Sequence, residues 1–167
     1  MSQFEAIQAA YQTFTEQFQS AVISTVSKDG IPNASYAPFV MDDLKNIYIY
    51  VSGLSTHTQN LNDVPKASVL FVEDESKTQQ IFARRRLSYE CNASLLKRDT
   101  ATWMIVNSDF EARFGNIIKL FRDLPDFRIF QLTPTSGRFV VGFGAAYEVD
   151  ATNLNKLIHV TGENEDG

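Results

Sequence analysis

Short apolar runs, separated by polar turn signals, recur along this chain and predict short β-strands. Residues 21–26 are rich in β-branched side chains and lead into a turn signal at 28–30. Residues 31–41 and 46–51 follow as further strands, separated by a short polar turn. Connections this short join antiparallel neighbours, because a parallel crossover needs a dozen residues or more. The first part of the chain therefore predicts an antiparallel meander.

Helices and a second set of strands are predicted further along. Apolar residues recur at helical spacing between Ile7 and Phe18, which predicts an N-terminal helix. Helices are also predicted at 56–62, 93–121 and 154–159. The predicted order is one helix, then roughly six to eight antiparallel strands, with further helices late in the chain. This order predicts an α+β or mainly β barrel with peripheral helices. The further predicted strands are 67–72, 81–89, 127–132, 138–143 and 145–149.

Length and composition predict a single domain. The chain has 167 residues, of which 44% are hydrophobic, and this is enough to bury a full core. Within that domain we expect an N-terminal helix (1–19), a barrel with inserted helices (20–149) and a C-terminal helix and tail (150–167).

Charge and cysteine content narrow the classes of function. The chain carries 15 basic and 20 acidic side chains, which argues against general nucleic-acid binding because that needs a broad basic surface. No apolar stretch is long enough to cross a bilayer, and residues 1–18 lack the pattern of a secretory signal. Cys91 is the only cysteine, so we expect no disulfide within the chain and a reducing, cytoplasmic location. Two histidines without further cysteines argue against a self-contained zinc site.

Three consecutive arginines, Arg84, Arg85 and Arg86, form a cluster of positive charge in this acidic chain. If 81–89 is a strand, Arg84 and Arg86 share one face and Arg85 points the other way. Two guanidinium groups at that spacing suit a carboxylate or a phosphate. The alternative is a solvated edge that discourages pairing with other strands. The run alone leaves both interpretations open.

Five short sequence strings, in a fixed order, carry a family resemblance. Together they resemble the heme-iron utilisation proteins of the HugZ/HutZ type, within the FMN-binding split barrels related to pyridoxamine 5′-phosphate oxidase. The likeness runs from about Ala21 to His159, and the combination is more specific than any single string. The strings are PNASYAPF (32–39), TH followed by NL (56–61), FARRRL (82–87), LPDF (124–127) and GFG followed by AY (142–147).

The resemblance implies a six-stranded antiparallel split β-barrel that works as a homodimer, with two equivalent sites at the subunit interface. It implies that a C-terminal histidine ligates heme iron, supported by Asp126, and that Arg86 lies near the heme. The family pattern has two C-terminal histidines about five residues apart, of which the second is the ligand. Here His159 occupies the first position and Asn164 the second. Because asparagine is a poor ligand for heme iron, His159 is the candidate ligand; the alternatives are that the protein binds heme weakly or binds another ligand.

Other residues are candidates for holding the cofactor. Arg84, with Arg86, is expected to meet heme propionates, and Ser55 and Thr56 at a helix start suit a phosphate or propionate. Asn33 and Tyr36 are candidates for lining the interface pocket, although strand pairing and packing explain them almost as well.

The resemblance leaves three functions open. The first is heme binding for iron utilisation with oxygen-dependent heme degradation, which requires an electron donor that the sequence does not identify. The second is an FMN-dependent oxidoreductase, in which the arginines together with Ser55 and Thr56 hold the flavin phosphate. The third is a heme carrier without catalysis. In each case the partner is a small-molecule ligand, and we expect neither nucleic acid nor membrane insertion.

Overall fold

Across residues 1–158, which the computed structural model describes, eight strands form one antiparallel sheet. They are β1 (Ser20–Val26), β2 (Pro32–Met41), β3 (Ile47–Ser52), β4 (Lys66–Val72), β5 (Arg86–Leu95), β6 (Phe127–Gly142), β7 (Ala145–Val149) and β8 (Leu157–Ile158). The α-helices in this part of the chain are α1 (Gln3–Thr13), α2 (Thr56–Asp63), α3 (Ala101–Phe114) and α4 (Ile117–Asp123). None of these helices is both long and apolar enough to span a membrane.

The sheet closes into a six-stranded barrel. Strands lie in the order β3-β2-β1-β4-β5-β6, and β3 also pairs with β6, which completes the ring. The second half of β6 continues beyond the ring and pairs with β7, which in turn pairs with β8. The predicted mainly β fold, an antiparallel six-stranded barrel with peripheral helices, is confirmed.

Side chains along each strand point alternately into and out of the barrel, and apolar side chains that point inward fill it. In β1, Ala21, Ile23 and Thr25 point inward and are buried, whereas Val22 between them is exposed. Phe39 and Phe71 meet edge to face inside, with ring centroids 5.0 Å apart. Burial of each such side chain stabilises the fold by about 1.5–3 kcal/mol.

The α1 mouth of the barrel is closed by aromatic packing. We use this name for the end covered by α1 and the short 3₁₀ turn Phe14–Gln17 that follows it. Ser2 and Glu5 form a capping box that starts α1. The ring of Phe14 packs edge to face on Phe139 at 5.1 Å, so the helix end reaches into the core.

Helix α1 also forms hydrogen bonds that hold residues 154–157 in place. The Tyr11 hydroxyl lies 2.7 Å from the Tyr89 hydroxyl and donates to the Leu154 carbonyl at 2.5 Å. Gln8 donates to the Asn155 carbonyl at 2.7 Å and accepts from the Leu157 amide at 2.8 Å. Burial raises the pKa of Tyr11 to about 12, so its hydroxyl keeps its proton at neutral pH. These contacts set the path of the chain up to the last described strand.

The α2 mouth is the opposite end, covered by α2, and its contacts are more polar. β1 starts just after the α1 mouth and ends beneath α2, where Asn60 donates to the Thr25 hydroxyl at 3.0 Å. The Thr58 hydroxyl donates to the Ser52 carbonyl at 2.6 Å. Leu61 anchors the helix in the main core.

Helices α3 and α4 cover part of the outer surface of the barrel. Thr100 caps α3 by accepting from the Trp103 amide. The ring of Tyr50, on the outer face of β3, contacts four aromatic rings at centroid distances of 5.5–6.4 Å. These rings are Trp103, Phe110, Phe121 and Phe127, and together they form a second hydrophobic cluster outside the barrel.

The structure corrects the predicted strand at 81–89. Ile81–Ala83 form a 3₁₀ turn in which the Gln80 side chain accepts from the Phe82 amide at 3.2 Å, and β5 begins only at Arg86. At its other end β5 continues to Leu95, so 93–95 is strand and not helix. These residues extend the strand because they pair with the first half of β6.

Two further predictions are wrong. The strands expected at 127–132 and 138–143 are one strand, because the register shifts at Glu90/Cys91 and this bulge accommodates Pro134, which has no amide hydrogen to donate. The helix expected at 154–159 is not formed by the described part of that range, since Leu157–Ile158 pair with β7 as β8. His159, Asn164 and the remaining C-terminal residues lie outside the described residues.

Candidate functional site

Asp126 is held where β3 ends and β6 begins. The Gly53 amide donates to the Asp126 carbonyl at 2.7 Å, and the Ser52 hydroxyl donates to carboxylate Oδ2 at 3.3 Å. A Cβ atom on Gly53 would lie only 2.8 Å from the Asp126 carbonyl oxygen. Glycine is therefore required for this close approach, which fixes the backbone of the aspartate.

The Asp126 carboxylate retains capacity to bind. Among residues 1–158, Ser52 is the only hydrogen-bond donor to its side chain, and the residue is only partly buried. An ionised carboxylate can accept about four hydrogen bonds. Asp126 is thus held in place and can still accept a hydrogen bond from an N–H group, such as that of an imidazole ring.

Ser55 and Thr56 lie beside this junction, as the start of α2. Ser55 is the N-cap residue, but its hydroxyl makes no capping hydrogen bond, and the Thr56 side chain is exposed. The Ser55 amide donates to the Ser52 carbonyl at 3.2 Å, which closes the turn between β3 and α2. The structure therefore brings Ser55, Thr56 and Asp126 to the same end of the barrel. Free amides at a helix start suit an anion.

A histidine and a serine pair beneath the start of α2. His57 Nδ1 lies 2.8 Å from the Ser35 hydroxyl, which also donates to the Ile23 carbonyl at 3.2 Å. Because the serine proton is used in that second bond, Nδ1 is the donor to Ser35 and Nε2 carries a free lone pair. Burial lowers the pKa of His57, so the ring is neutral at physiological pH.

The arginine run does not present the predicted pair of guanidinium groups. Arg84 precedes β5, and its Nε donates to the Glu73 carbonyl at 2.5 Å while Nη1 lies 3.6 Å from Glu75. Arg86 donates to the Arg84 carbonyl at 3.0 Å and is exposed. The guanidinium carbon of Arg85 lies 5.7 Å from the ring centroid of Phe14. The expectation that Arg84 and Arg86 share a strand face is wrong; their roles toward a ligand stay predictions.

Arg86 and Asp126 lie at opposite ends of the barrel. Arg86 pairs with Val140 near the end of β6, whereas Asp126 immediately precedes the start of that strand at Phe127. The strand has 16 residues, which span about 50 Å when straight, at roughly 3.3 Å per residue. Even in a coiled strand the two side chains remain far apart. One copy of the chain does not bring them into a single site.

The two predicted pocket residues of β2 point in opposite directions. Asn33 pairs with Thr25 and shares its strand face with Ser35, so it points toward α2. Tyr36 is 69% exposed on the outer face, next to Val22 on β1. Of this pair, Asn33 belongs to the α2 mouth and Tyr36 to the outer surface of the sheet.

The sequence did not single out Ser52, Gly53 or the pairing of His57 with Ser35 as parts of a site. The contacts of Gly53 and Ser52 join residues more than 70 positions away in the chain. The position of Gly53, two residues after the strand predicted at 46–51, was the one available signal, because a glycine at a strand end often permits close backbone approach.

The chain matches a known protein family along most of its length. The family model of pyridoxamine 5′-phosphate oxidase matches residues 7–141. The heme oxygenase HutZ of Vibrio cholerae is 37% identical over 147 residues, which cover 88% of this chain and 83% of that protein.

Solved structures of two related proteins also superpose on this chain. The crystal structure of HutZ, described as the heme storage protein from Vibrio cholerae, superposes with a TM-score of 0.71 at 33% identity, covering 80% of this chain and 91% of that one. Campylobacter jejuni ChuZ superposes with a TM-score of 0.83 at 34% identity, covering 96% of this chain. The match spans 64% of ChuZ.

Proposed function

Because this chain belongs to the pyridoxamine 5′-phosphate oxidase family, as a protein of the HutZ type, we propose that it binds heme for iron utilisation and degrades it with dioxygen. The observation that carries the proposal is the 37% identity to the heme oxygenase HutZ across 88% of the chain. The geometry at Asp126 supports it, since a fixed carboxylate with free lone pairs is what a ligating histidine needs beside it.

The residues of the chain bind and orient the ligand. His159 is the iron ligand in this proposal, and Asp126 accepts the proton of its second ring nitrogen, which fixes the tautomer and makes the ring a stronger donor to iron. Heme supplies the iron at which dioxygen reacts and is also the substrate that is consumed. The electron donor is a separate reductant.

We further propose that each site is shared between two copies of the chain. The described chain ends at Ile158, opposite Glu148, which pairs with Arg138 on the second half of β6. This half of β6 also pairs with Arg86 on β5, whereas Asp126 lies at the other end. The separation supports a homodimer in which Asp126 comes from one chain and His159 and Arg86 come from its partner.

Hemin titration of the purified protein, followed by reduction in air, tests the function. We expect a sharp Soret band that saturates near one heme per chain and then decays with turnover. His159→Ala should lose the band, and Asp126→Ala should slow turnover by roughly tenfold or more, as loss of a partner to a ligating histidine does. No specific band in the wild-type protein would overturn heme binding. A stable band under reductant and oxygen would identify a storage protein.

Mixed dimers test the shared site. In a dimer of one Asp126→Ala chain and one His159→Ala chain, a shared arrangement leaves one site with both residues intact. We expect such co-expressed, tag-selected dimers to regain about half of the wild-type turnover per dimer, on the order of one intact site in two. Dimers whose turnover stays no higher than that of the Asp126→Ala parent would show that both residues act within one chain.

An FMN-dependent oxidoreductase is the second candidate, favoured by the family match over residues 7–141. The open start of α2, with Ser55 and Thr56, would hold the flavin phosphate. Flavin absorbance that persists through purification, or saturable binding of added FMN with no Soret band from hemin, would favour this function over heme degradation.

A further inference from the structure

Two arginines lie against the indole ring of Trp103. The guanidinium carbon of Arg98 is 5.1 Å from the ring centroid and that of Arg122 is 5.8 Å from it. Arg98 lies in the connection between β5 and α3, and Arg122 is in the last turn of α4. The helical segment after β5 thus brings two cations within 6 Å of one buried ring.

The hydrogen-bonding capacity of both arginines is largely unused within residues 1–158. Nη1 of Arg98 is buried there without a hydrogen-bond partner, whereas Arg122 is exposed and donates to the sulfur of Met104 at 3.8 Å. By contrast, Arg84 and Arg138 lie within 4 Å of glutamates. Stacking on an aromatic ring uses the face of a guanidinium and leaves its N–H edge free. A buried N–H that is left unpaired costs free energy, which points to a missing acceptor.

The surroundings add positive potential. α3 begins at Ala101, so its free amides and the positive end of its dipole lie close to Arg98 in the chain. The Tyr50 hydroxyl donates to Asn107 nearby, at 3.2 Å. Burial raises the pKa of Tyr50, the charges of Arg98 and Arg122 oppose that rise, and the charge of Asp99 adds to it, so two cations and one carboxylate act on this hydroxyl.

We propose that Arg98 and Arg122 bind an oxyanion, the carboxylate or phosphate group of a small ligand. The planar fork of a guanidinium matches either group with two parallel hydrogen bonds. The cluster lies near Asp126, because α4 ends at Asp123 and two residues lead directly to the aspartate. For the identity of the ligand we rely on the proposed function, under which the oxyanion is a heme propionate. Arg84, the earlier candidate for that contact, is held by Glu73 and Glu75.

Fluorescence of Trp103, the only tryptophan in the chain, reports on this site directly. We would titrate the full-length protein with sodium phosphate and with sodium acetate, using sodium chloride at matched ionic strength as reference. We expect a saturable change for at least one oxyanion, weakened roughly tenfold or more in Arg98→Gln and in Arg122→Gln by loss of a charge-assisted hydrogen bond. Arg138→Gln, which removes an exposed arginine paired with Glu148, is the matched control and should respond as wild type. The oxyanion that binds more tightly identifies the group.

Two results would overturn the oxyanion site: no response of the wild-type protein beyond chloride, or equal responses in wild type, Arg98→Gln and Arg122→Gln. Hemin titration of the wild-type protein separates this outcome from the proposed function. If heme binds but neither oxyanion gives a response, the proposed function is retained and the proposed oxyanion site is rejected. If an oxyanion gives a response but hemin gives no Soret band, the oxyanion site is supported and heme is rejected as its ligand.

Discussion

The two mouths of the barrel are closed in opposite ways. At the α1 mouth, Phe14 is almost fully buried against other rings, and Arg84 is engaged by the loop beside it. At the α2 mouth, closure depends on a hydroxyl, an imidazole and a carboxylate, in Ser35, His57 and Asp126. Apolar closure stabilises the fold without leaving groups for chemistry, whereas polar closure keeps lone pairs within reach of a ligand. The difference indicates that apolar packing is concentrated at the α1 mouth, whereas the α2 mouth keeps the free lone pairs of Asp126 and His57.

The largest expected effect is on stability at the α1 mouth. Phe14→Ala removes a side chain that is 2% exposed and leaves a cavity beside Phe139, so we expect a loss of about 3–5 kcal/mol in the free energy of unfolding. Thr56→Ala, an exposed change at the α2 mouth, should stay within about 0.5 kcal/mol of wild type. Urea denaturation measures both. Equal stability of the two variants would contradict the contrast between the mouths.

An intermediate effect is expected where β3 meets β6. Gly53→Ala places a Cβ atom 2.8 Å from the Asp126 carbonyl, and a backbone atom cannot move aside cheaply. We expect a loss of about 1–3 kcal/mol in stability, with weaker heme binding because Asp126 is displaced. Gly142→Ala is the matched control, since its Cβ would meet open space. Denaturation and hemin titration of both variants test this. Wild-type behaviour of Gly53→Ala would mean that the junction is not tightly fixed.

The smallest effect is a pH dependence at the α2 mouth. Burial lowers the pKa of His57 below its ordinary value of 6.5, so the unfolded chain binds a proton before the folded protein does. The free energy of unfolding should therefore be highest above about pH 6.5 and fall as the pH drops from there toward the lowered pKa. His57→Gln, compared with wild type by urea denaturation between pH 5.5 and 8, should flatten this slope. An unchanged slope in His57→Gln would assign the titration to another group.

Strands β1 and β4 were predictable from short β-branched runs, and burial along both strands alternates as expected. The prediction failed where local signals and tertiary pairing disagree. The stretch from Thr133 to Gly137 contains turn-forming residues, yet pairing with β5 holds it as a bulged continuation of β6. The apolar run at Ile81–Ala83 has strand composition, but the Gln80 side chain starts a 3₁₀ turn there.

The candidate site was predictable only where one residue carries the signal. Asp126 is recognisable from the LPDF string, whereas the contacts of Ser52 and Gly53 depend on strands meeting across the closed barrel. The grouping of Arg98 and Arg122 depends on how α3 and α4 fold around Trp103, and no local pattern encodes that. The direction in which a lone arginine points is set by tertiary packing and not by its neighbours in sequence.

The hold of α1 on the C-terminal segment has a consequence for the order of folding. Gln8 and Tyr11 precede their partners Asn155, Leu157 and Leu154 by 143 to 149 residues. α1 therefore completes its docking only after translation of the barrel, and until then its apolar stripe has no complete surface to cover. Contacts between residues so far apart carry a large loop-closure cost and form late. Helix α1 thus precedes the barrel in the chain but is fully secured only after the barrel strands have been synthesised.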